Sequence, residues 1–455
     1  MLSFLDSTSH VAQLLLAISF AIALFVTAFS KYGRILFLAI VVMIPFQPIT
    51  SKYGTINMVV VWLVGASFLL NSFRTRSVRR EAPPLVWQFG LLIFVFLMSA
   101  ALAPTLFWKK YFIHLILIGS NVVLFYMSYW YFRREADLES FFQAMIVSNV
   151  LVVLYTAVQL ASGYGKFSLG GIQELAFVQN RADQRLSGPF MAVGITAEYL
   201  VLQSLLLVHY LVQTGKFRRF GLLLLFTNFA ILVGTGNRGG FLISIMALFL
   251  FLYNYRRYIG SRGIAMALVV FLVLGSVASL LMVKYTDFNV LYTRLSGTEI
   301  EGITPDSRKG WSFVVERITD RPVLGHGPRI VRMEEYERVP RSWPDDFINF
   351  YPHSLYLYIL YTTGIIGLIA YGIWAVSYWL YLCGLRKRWD DSKFQLARGM
   401  PTLGMIIFFL FLIDQFKVEF LRHYLLDYQH YLAALFGMFA ALGKIDSASR
   451  QTSSV

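Results

Sequence analysis

Apolar stretches of close to twenty residues recur along the whole chain, and they leave few folds open to it. A helix of about twenty apolar residues crosses the hydrocarbon core of a bilayer, where only helices and closed barrels satisfy their backbone hydrogen bonds. The stretches are continuous rather than alternating in polarity, which argues against a β-barrel. Candidate spans cover residues 11–29, 35–50, 55–72, 84–103, 111–131, 140–161, 190–213, 219–235, 239–254, 264–283, 354–383, 399–415 and 424–442. The sequence therefore predicts an all-α polytopic membrane protein with about 12–13 transmembrane helices.

The composition agrees with a membrane protein, because 57% of the 455 residues are hydrophobic and only 14% are charged. A soluble domain carries about 25% charged residues. A net charge of +15 would suggest a nucleic-acid partner in a soluble protein, but here much of it lies in short clusters between the spans, so no nucleic acid is expected. The clusters are at 74–80, 133–134, 216–219, 255–263 and 386–388. They share one side if the spans alternate, and the positive-inside rule makes that side the cytoplasm.

The alternating spans divide the chain into five predicted regions. These are N-terminal transmembrane helices at 1–161, central transmembrane helices at 162–283 that begin with a periplasmic loop at 162–189, a large periplasmic loop at 284–353, C-terminal transmembrane helices at 354–443, and a disordered cytoplasmic tail at 444–455. The large loop has room for a small subdomain of short helices. The single cysteine, Cys383, excludes a disulfide framework and a thiolate metal site. The first apolar run lacks the features of a cleavable signal peptide.

Two arginines lie at predicted helix ends on the periplasmic side. Arg185 precedes the Gly188-Pro189 break in RADQRLSGPF, and Arg238 lies between glycines in GTGNRGG. Glycine-flanked amides at a helix start, together with a guanidinium group, are suited to phosphate. The alternative interpretations are an interfacial snorkelling arginine for Arg185 and a tight turn with a positive cap for Arg238.

The large loop and its end supply three further candidates. Arg308 and Lys309 precede Trp311 in DSRKGWSF, where a short helix on the membrane surface is predicted. His353 precedes the late apolar helix, whose dipole disfavours the protonated form, and a neutral imidazole can act as a general base. The alternatives are an amphipathic loop helix whose charges face water and a hydrogen-bonded interfacial histidine.

Charged residues inside predicted spans are functional candidates by default, although interhelical ion pairs explain many of them. Glu198 lies in the helix after Arg185, and Asp414 lies at the end of a span, followed by Arg422. Arginines on one side of the membrane bind diphosphate oxygens bidentately without a metal. The predicted external loops contain no Asp-rich motif that would hold a metal-bound nucleotide sugar, the nearest being PDDF at 344–347.

The pieces RLSGPF…AEYL, GTGNRGG, SRKGW, RPVLGHGP and PHSLYLYILYTTGIIGL, in this order between about 180 and 370, resemble the O-antigen ligase and polymerase superfamily. That superfamily includes lipid A-core O-antigen ligases, O-antigen polymerases and exopolysaccharide polymerases. The resemblance implies a GT-C-like, metal-independent glycosyltransferase of the bacterial inner membrane that needs no cofactor. Such enzymes transfer a glycan from undecaprenyl diphosphate, with inversion, to a lipid A-core or lipid-linked glycan acceptor at the periplasmic face.

The resemblance also implies roles for individual residues. The family's arginines in the corresponding motifs match Arg185, Arg238 and Arg308, which we assign to diphosphate binding, and its late histidine matches His353, which we assign as the catalytic base. A serine follows this histidine where the family often has asparagine.

Glu198, Lys309 and Arg422 are supporting candidates. The sequence does not separate a ligase from a polymerase. The alternative function is a lipid-linked oligosaccharide flippase or another polytopic transporter, which would often show internal repeats and mid-membrane charges. A nonenzymatic scaffold would leave the arginines and the histidine without a role.

Overall fold

The computed structural model describes most of the predicted membrane helices and part of the loops. The described residues are 22, 25, 33–46, 50–51, 54–55, 60–67, 70, 83–103, 108–161, 185–190, 192–260, 314–328, 352, 354–389, 394–416, 421 and 426–452. Within them the chain is helical apart from turns, short connecting segments and one hairpin whose two strands have two residues each. The helices are α1 (Gly33–Met43), α2 (60–67), α3 (Val86–Leu102), α4 (Trp108–Tyr131), α5 (Glu135–Ala161), α6 (Val193–Thr214), α7 (Arg218–Gly234), α8 (Arg238–Gly260), α9 (314–320), α10 (Leu355–Trp389), α11 (Met400–Asp414) and α12 (Leu426–Thr452).

The helices confirm an all-α polytopic membrane protein. Among the described helices, α4, α5, α6, α8 and α10 are long and apolar enough to cross a membrane, and α1, α3 and α11 are shorter apolar helices. The only strands in the described ranges are Thr50–Ser51 and Gly54–Thr55, which pair antiparallel. The predicted spans 11–29 and 264–283 lie essentially outside the described residues.

Two parts of the chain differ from the prediction, the C-terminal tail and the late span. Helix α12 continues to Thr452, so helix extends into the tail at 444–455 that we expected to be disordered. Helix α10 covers the span predicted at 354–383, but its backbone is not helical at Gly364, where φ is 67° and ψ is −165°. The late span is therefore two helical segments joined at a kink.

The turns that carry basic residues meet at one end of the bundle. Arg34 at the start of α1 forms an ion pair with Asp137 in the first turn of α5, and Lys216 in the α6–α7 turn pairs with Glu139. The imidazole of His209 on α6 contacts the hydroxyl of Tyr255 on α8 at 2.7 Å. These contacts place the basic clusters 133–134, 216–219 and 255–260 together, at the end that we name the basic end.

A long seam between α4 and α12 forms much of the interior. The Ser128 hydroxyl donates to the Ala434 carbonyl at 2.7 Å, and the Asn121 amide donates to the Gln429 side chain at 2.8 Å. Gly437 lies so close to the main chain of Phe125 that a Cβ atom would collide with it. Close backbone approach and interhelical hydrogen bonds are typical of helix packing inside membranes.

Candidate functional site

The structure brings Arg185 into contact with the turn that precedes Arg238. The Arg185 Nε donates to the Thr235 carbonyl at 2.8 Å, and one terminal nitrogen donates to the Gly236 carbonyl at 3.4 Å. The amide of Leu186 donates to the Gly234 carbonyl at 3.1 Å. The half-buried guanidinium group is therefore fixed against the α7–α8 turn, and Arg238 follows two residues after its last contact.

The turn after Arg185 is fastened to two helices. Gln159, near the end of α5, donates to the Ser187 hydroxyl at 2.9 Å and accepts from the Gly188 amide at 3.0 Å. The Thr196 hydroxyl on α6 donates to the Ser187 carbonyl. Gly188 has a φ of 55°, in the left-handed region that favours glycine. Gln159 is thus a residue that the sequence reasoning missed, because an amide inside an apolar run carries no motif.

Asn237 is the N-cap of α8. Its side-chain oxygen accepts from the Gly240 amide at 2.8 Å, an arrangement that asparagine favours at this position. Because the Gly236 amide also donates to the Val233 carbonyl, at 3.0 Å, two of the glycine amides expected to face a phosphate have partners within the turn. The prediction of free amides that face a phosphate is thus wrong for Gly236 and Gly240. At Gly240 a Cβ atom would lie 2.5 Å from the Cβ of Ala197, so this glycine serves the close packing of α8 on α6.

The most unusual backbone lies where residues 322–327 dock into the kink of α10; we name this segment the docking segment. The amides of His326 and Gly327 donate to the carbonyls of Tyr361 and Thr362 at 2.9 and 3.1 Å.

In return, two amides of α10 donate to the docking segment. The Ile365 amide donates to the Pro322 carbonyl at 2.8 Å, and the Ile366 amide donates to the Val323 carbonyl at 3.4 Å. In an uninterrupted helix these amides would bond to the carbonyls four residues earlier, those of Tyr361 and Thr362. The docking segment therefore supplies acceptors for these two amides and donors for these two carbonyls.

Glycines make this backbone exchange sterically feasible. Gly325 and Gly364 have φ angles of 68° and 67°, which L-residues rarely adopt. A Cβ atom on Gly325 would collide with the main chain of Thr362, and one on Gly364 would collide with the main chain of Val323. Gly364 therefore accommodates the docking segment against α10.

His326 holds the docking segment from its own side. Its Nε2 lies 2.8 Å from the Arg317 carbonyl, so this nitrogen carries the proton, and its ring stacks on Tyr361 with centroids 4.6 Å apart. Burial lowers the pKa of the imidazole, and the hydrogen bond to Arg317 only partly offsets this. We therefore expect neutral His326 in the docked state at pH 7.

The docking segment also contacts the ends of α3 and α4. The Ser99 hydroxyl donates to the Thr362 carbonyl at 2.6 Å, and the Tyr111 hydroxyl donates to the His326 carbonyl at 3.4 Å. Arg321 donates to the Leu102 carbonyl at 3.4 Å. The ends of α3 and α4 are thus joined to the kink of α10 and to the chain at 321–326 through backbone carbonyls, of which that of Thr362 lies at the kink.

The start of α10, directly after His353 in the chain, is fixed by α11. The Leu355 amide donates to the Gln415 carbonyl at 2.8 Å, and the Tyr356 hydroxyl donates to the Leu412 carbonyl at 2.7 Å. Residues 355–363 are therefore held at both ends, by α11 before the first turn and by the docking segment at the kink. We name them the first half of α10.

Two predicted acids lie close to this start. Glu198 and Asp414 are buried, and both are within electrostatic reach of Tyr428 near the start of α12, which shares a hydrogen bond with Glu198. Glu198 therefore belongs to a polar cluster between α6, α11 and α12.

Arg308, Lys309, His353 and Arg422 lie outside the described residues. Their assignments stay predictions from the sequence. Among the described candidates, the structure brings Arg185 to the turn of Arg238. His326 was not among the candidates, although the glycines on both sides of it indicate a backbone that other residues avoid.

The comparison with known families now bears on this geometry. Residues 222–372 match the family model described as O-antigen ligase. This segment is similar to that family, and we refer to it as the O-antigen ligase domain. No curated protein matches the chain. The O-antigen ligase domain includes Arg238, the docking segment and the kink in α10, whereas Arg185 lies outside it and packs onto it.

The match confirms the resemblance to the O-antigen ligase and polymerase superfamily. It indicates a membrane enzyme of the glycosyltransferase type, acting on lipid-linked glycans in a bilayer.

Proposed function

We propose that this protein transfers a glycan from undecaprenyl diphosphate to an acceptor glycan at the periplasmic face, as an O-antigen ligase or an O-antigen or exopolysaccharide polymerase. The reaction inverts the anomeric centre and uses no metal. The O-antigen ligase domain and the arginine pair at one turn support this assignment.

The donor diphosphate is the leaving group, and its negative charge grows as the glycosidic bond breaks. Arg185 and Arg238 bind this group and stabilise the developing charge, and Arg308 contributes from the large loop. The contacts of Arg185 with the Thr235 and Gly236 carbonyls support this role, because they fix a guanidinium group before substrate arrives. Loss of one such donor typically costs ~10²–10³ in rate.

His353 removes the proton from the acceptor hydroxyl as the oxygen attacks the anomeric carbon. A positioned general base is typically worth about 10²–10⁴ in rate. One observation carries this proposal: hydrogen bonds to α11 and to the docking segment hold the first half of α10 at both ends. This segment begins two residues after His353. A base must be held within hydrogen-bond reach of its substrate, and a helix fixed at both ends can hold one.

Reconstitution of the full chain tests the proposal. The purified protein is mixed with a lipid-diphosphate oligosaccharide and EDTA, with and without a lipid A-core acceptor, and the products are separated on a gel. One glycan added to the core identifies a ligase, and a ladder on the lipid diphosphate without core identifies a polymerase.

Variants connect activity to the assigned residues. We expect His353→Ala and Arg185→Ala to lose at least ~10² of the rate, as expected for a lost base and a lost charge donor. Arg256→Ala is the matched control, because that arginine stacks on Tyr253 near the basic end and should leave the rate unchanged. Full activity in His353→Ala would remove the base assignment. Lipid movement across liposomes without transfer would favour a flippase.

A further inference from the structure

A groove of about 670 Å³ lies between α3, α4, α10 and α12, away from the docking segment and from both arginines. Its lining comes from the start of α3, the end of α4, the last turns of α10 and residues 443–444 of α12. The cluster 386–388 in the last turn of α10 marks this end of the helix as basic, and the positive-inside rule places it at the cytoplasmic face. No step of the proposed transfer uses this groove.

Among the described residues, the charges that line the groove are of one sign. Arg388 and Lys444 are its charged lining residues, and the Lys444 ammonium lies 5.4 Å from the centroid of the Tyr129 ring. Arg388 is exposed, while Arg386 and Lys387 belong to the same basic turn but do not line the groove. Of the described lining residues, an anion that enters would meet two cations and no carboxylate.

The rest of the lining is apolar or uncharged. Leu380 is 62% exposed on the outer surface of α10, and Leu85 and Leu385 line the interior of the groove. The Gln88 amide donates to the Ser377 hydroxyl at 3.2 Å, which links α3 to α10 across it. A ligand that fits therefore carries a negative charge next to a hydrocarbon chain.

Gly443 keeps the helices close at this place. A Cβ atom on Gly443 would lie 2.5 Å from the Tyr381 hydroxyl, which donates to the Ala440 carbonyl at 2.7 Å. The next residue in the chain is Lys444. The glycine therefore brings the α12 backbone close to α10, on which Arg388 lies.

We propose that this groove binds the head group of an anionic phospholipid. The phosphate pairs with Arg388 and Lys444, and an acyl chain lies along Leu380 toward the bilayer. Basic pockets between transmembrane helices on the cytoplasmic side are suited to such head groups. An anionic lipid would use both the two cations and the exposed Leu380. Free phosphate would use the cations alone.

Native mass spectrometry of the full chain tests the proposal, with phosphatidylglycerol as the anionic probe and phosphatidylcholine as the zwitterionic one. We expect the wild type to prefer phosphatidylglycerol. The double variant Arg388→Gln/Lys444→Gln should weaken that binding about 30-fold, because each cation near an anionic lipid is worth about fivefold. Arg388→Lys/Lys444→Arg should keep the binding, which excludes a general loss of fold.

The matched control is Arg386→Gln/Lys387→Gln, which removes the same charge from the same turn outside the groove. If the control loses as much affinity as the groove variant, a diffuse surface charge explains the binding and the site does not exist. Equal retention of both lipids by the wild type would also overturn the proposal. Inorganic phosphate is added as a competitor, and displacement of the lipid at equal concentration would identify a phosphate site instead.

Discussion

The two halves of α10 are built by different interactions. The first half, 355–363, is fixed through backbone hydrogen bonds to the docking segment and to α11. The second half, from Gly364 to Trp389, donates two amides to the docking segment at its start, and beyond them it is fixed by aromatic packing. Trp374 and Tyr378 both contact Phe408 and Phe436, with ring centroids 4.9–6.4 Å apart. Packing of large rings tolerates small displacements better than backbone exchange does.

The difference matters for function because His353 adjoins the first half in the chain. A segment of about two and a half turns, separated from the rest of its helix, has little stability alone, since short helices are marginal. Its direction depends on the partners at its two ends. The docking segment lies within the predicted large loop, 284–353, so we expect this loop to determine where the proposed base, His353, lies relative to the arginines.

The largest effect should come from closing the space that the docking segment occupies. In Gly325→Ala, a positive φ costs an L-residue roughly 1–2 kcal/mol, and the new Cβ collides with the main chain of Thr362. We expect undocking, a loss of about 10² in transfer rate through misplacement of the first half, and fast hydrogen exchange at the His326 and Gly327 amides. Hydrogen-exchange mass spectrometry and the transfer assay measure the two effects separately.

Gly372→Ala is the matched control in the second half. Apart from the backbone of its own helix, no atom of the described residues lies within 4 Å of a Cβ added there. Alanine stabilises a helix over glycine by roughly 0.5–1 kcal/mol. We expect unchanged transfer and unchanged exchange at the docking segment. Full activity of Gly325→Ala despite lost protection would show that the docking segment does not position the site.

The second effect separates the two contacts of the His326 ring. His326→Phe keeps a ring to stack on Tyr361 but removes the donor to the Arg317 carbonyl, and His326→Gln keeps a donor. A typical hydrogen bond contributes about 0.5–1.5 kcal/mol, so exchange in the docking segment should accelerate about threefold to tenfold in His326→Phe. His326→Gln should retain most of the protection. Greater acceleration in His326→Gln than in His326→Phe would assign the effect to the stacked ring instead of the hydrogen bond.

The sequence predicted the limits of several described helices, such as α6, but not the kink in α10. Span limits follow from hydropathy, which is a local property, and the predicted 190–213 became Val193–Thr214. The kink depends on hydrogen bonds between residues that are far apart in the chain, such as Gly327 with Thr362. A local pattern cannot show that partner, although the glycines in RPVLGHGP and YTTGIIG do indicate unusual backbone at both places.

The candidate site shows the same contrast between local patterns, which the sequence reveals, and distant contacts, which it does not. Arg185 and Arg238 were predicted on one side from alternation of the spans, and the structure places them at one turn. Their supports, Gln159 and Asn237, are single amides whose roles depend on the fold. Sequence patterns find charged groups in apolar surroundings, whereas the neutral groups that hold them need coordinates.

A third prediction concerns the second half of α10. The buried Tyr378 hydroxyl donates to the Phe436 carbonyl at 2.8 Å, so Tyr378→Phe should lower the free energy of unfolding by about 1 kcal/mol. Transfer by the folded protein should not change, because aromatic packing keeps the helix in place. Thermal unfolding and the rate per folded molecule measure these quantities. A large loss of rate at unchanged stability would remove the distinction between the two halves.

The smallest effect is a pH dependence of docking. Burial lowers the pKa of His326, which faces Tyr361, Arg317, Asp320 and Arg321, with the Tyr111 hydroxyl on its carbonyl. An exposed histidine has a pKa of about 6.5, so the undocked state takes up a proton first as the pH falls. Docking is therefore strongest above about pH 6.5 and weakens below it.

Hydrogen-exchange protection of the docking segment, corrected for the intrinsic effect of pH, measures this loss between about pH 7.5 and 5.5. Protection in His326→Gln should not vary over that range, because glutamine does not titrate. The protection of Ile365 and Ile366 should follow that of His326 and Gly327, since their amides donate across the same contact. A pH dependence that persists in His326→Gln would assign the titration to another group and separate docking from this imidazole.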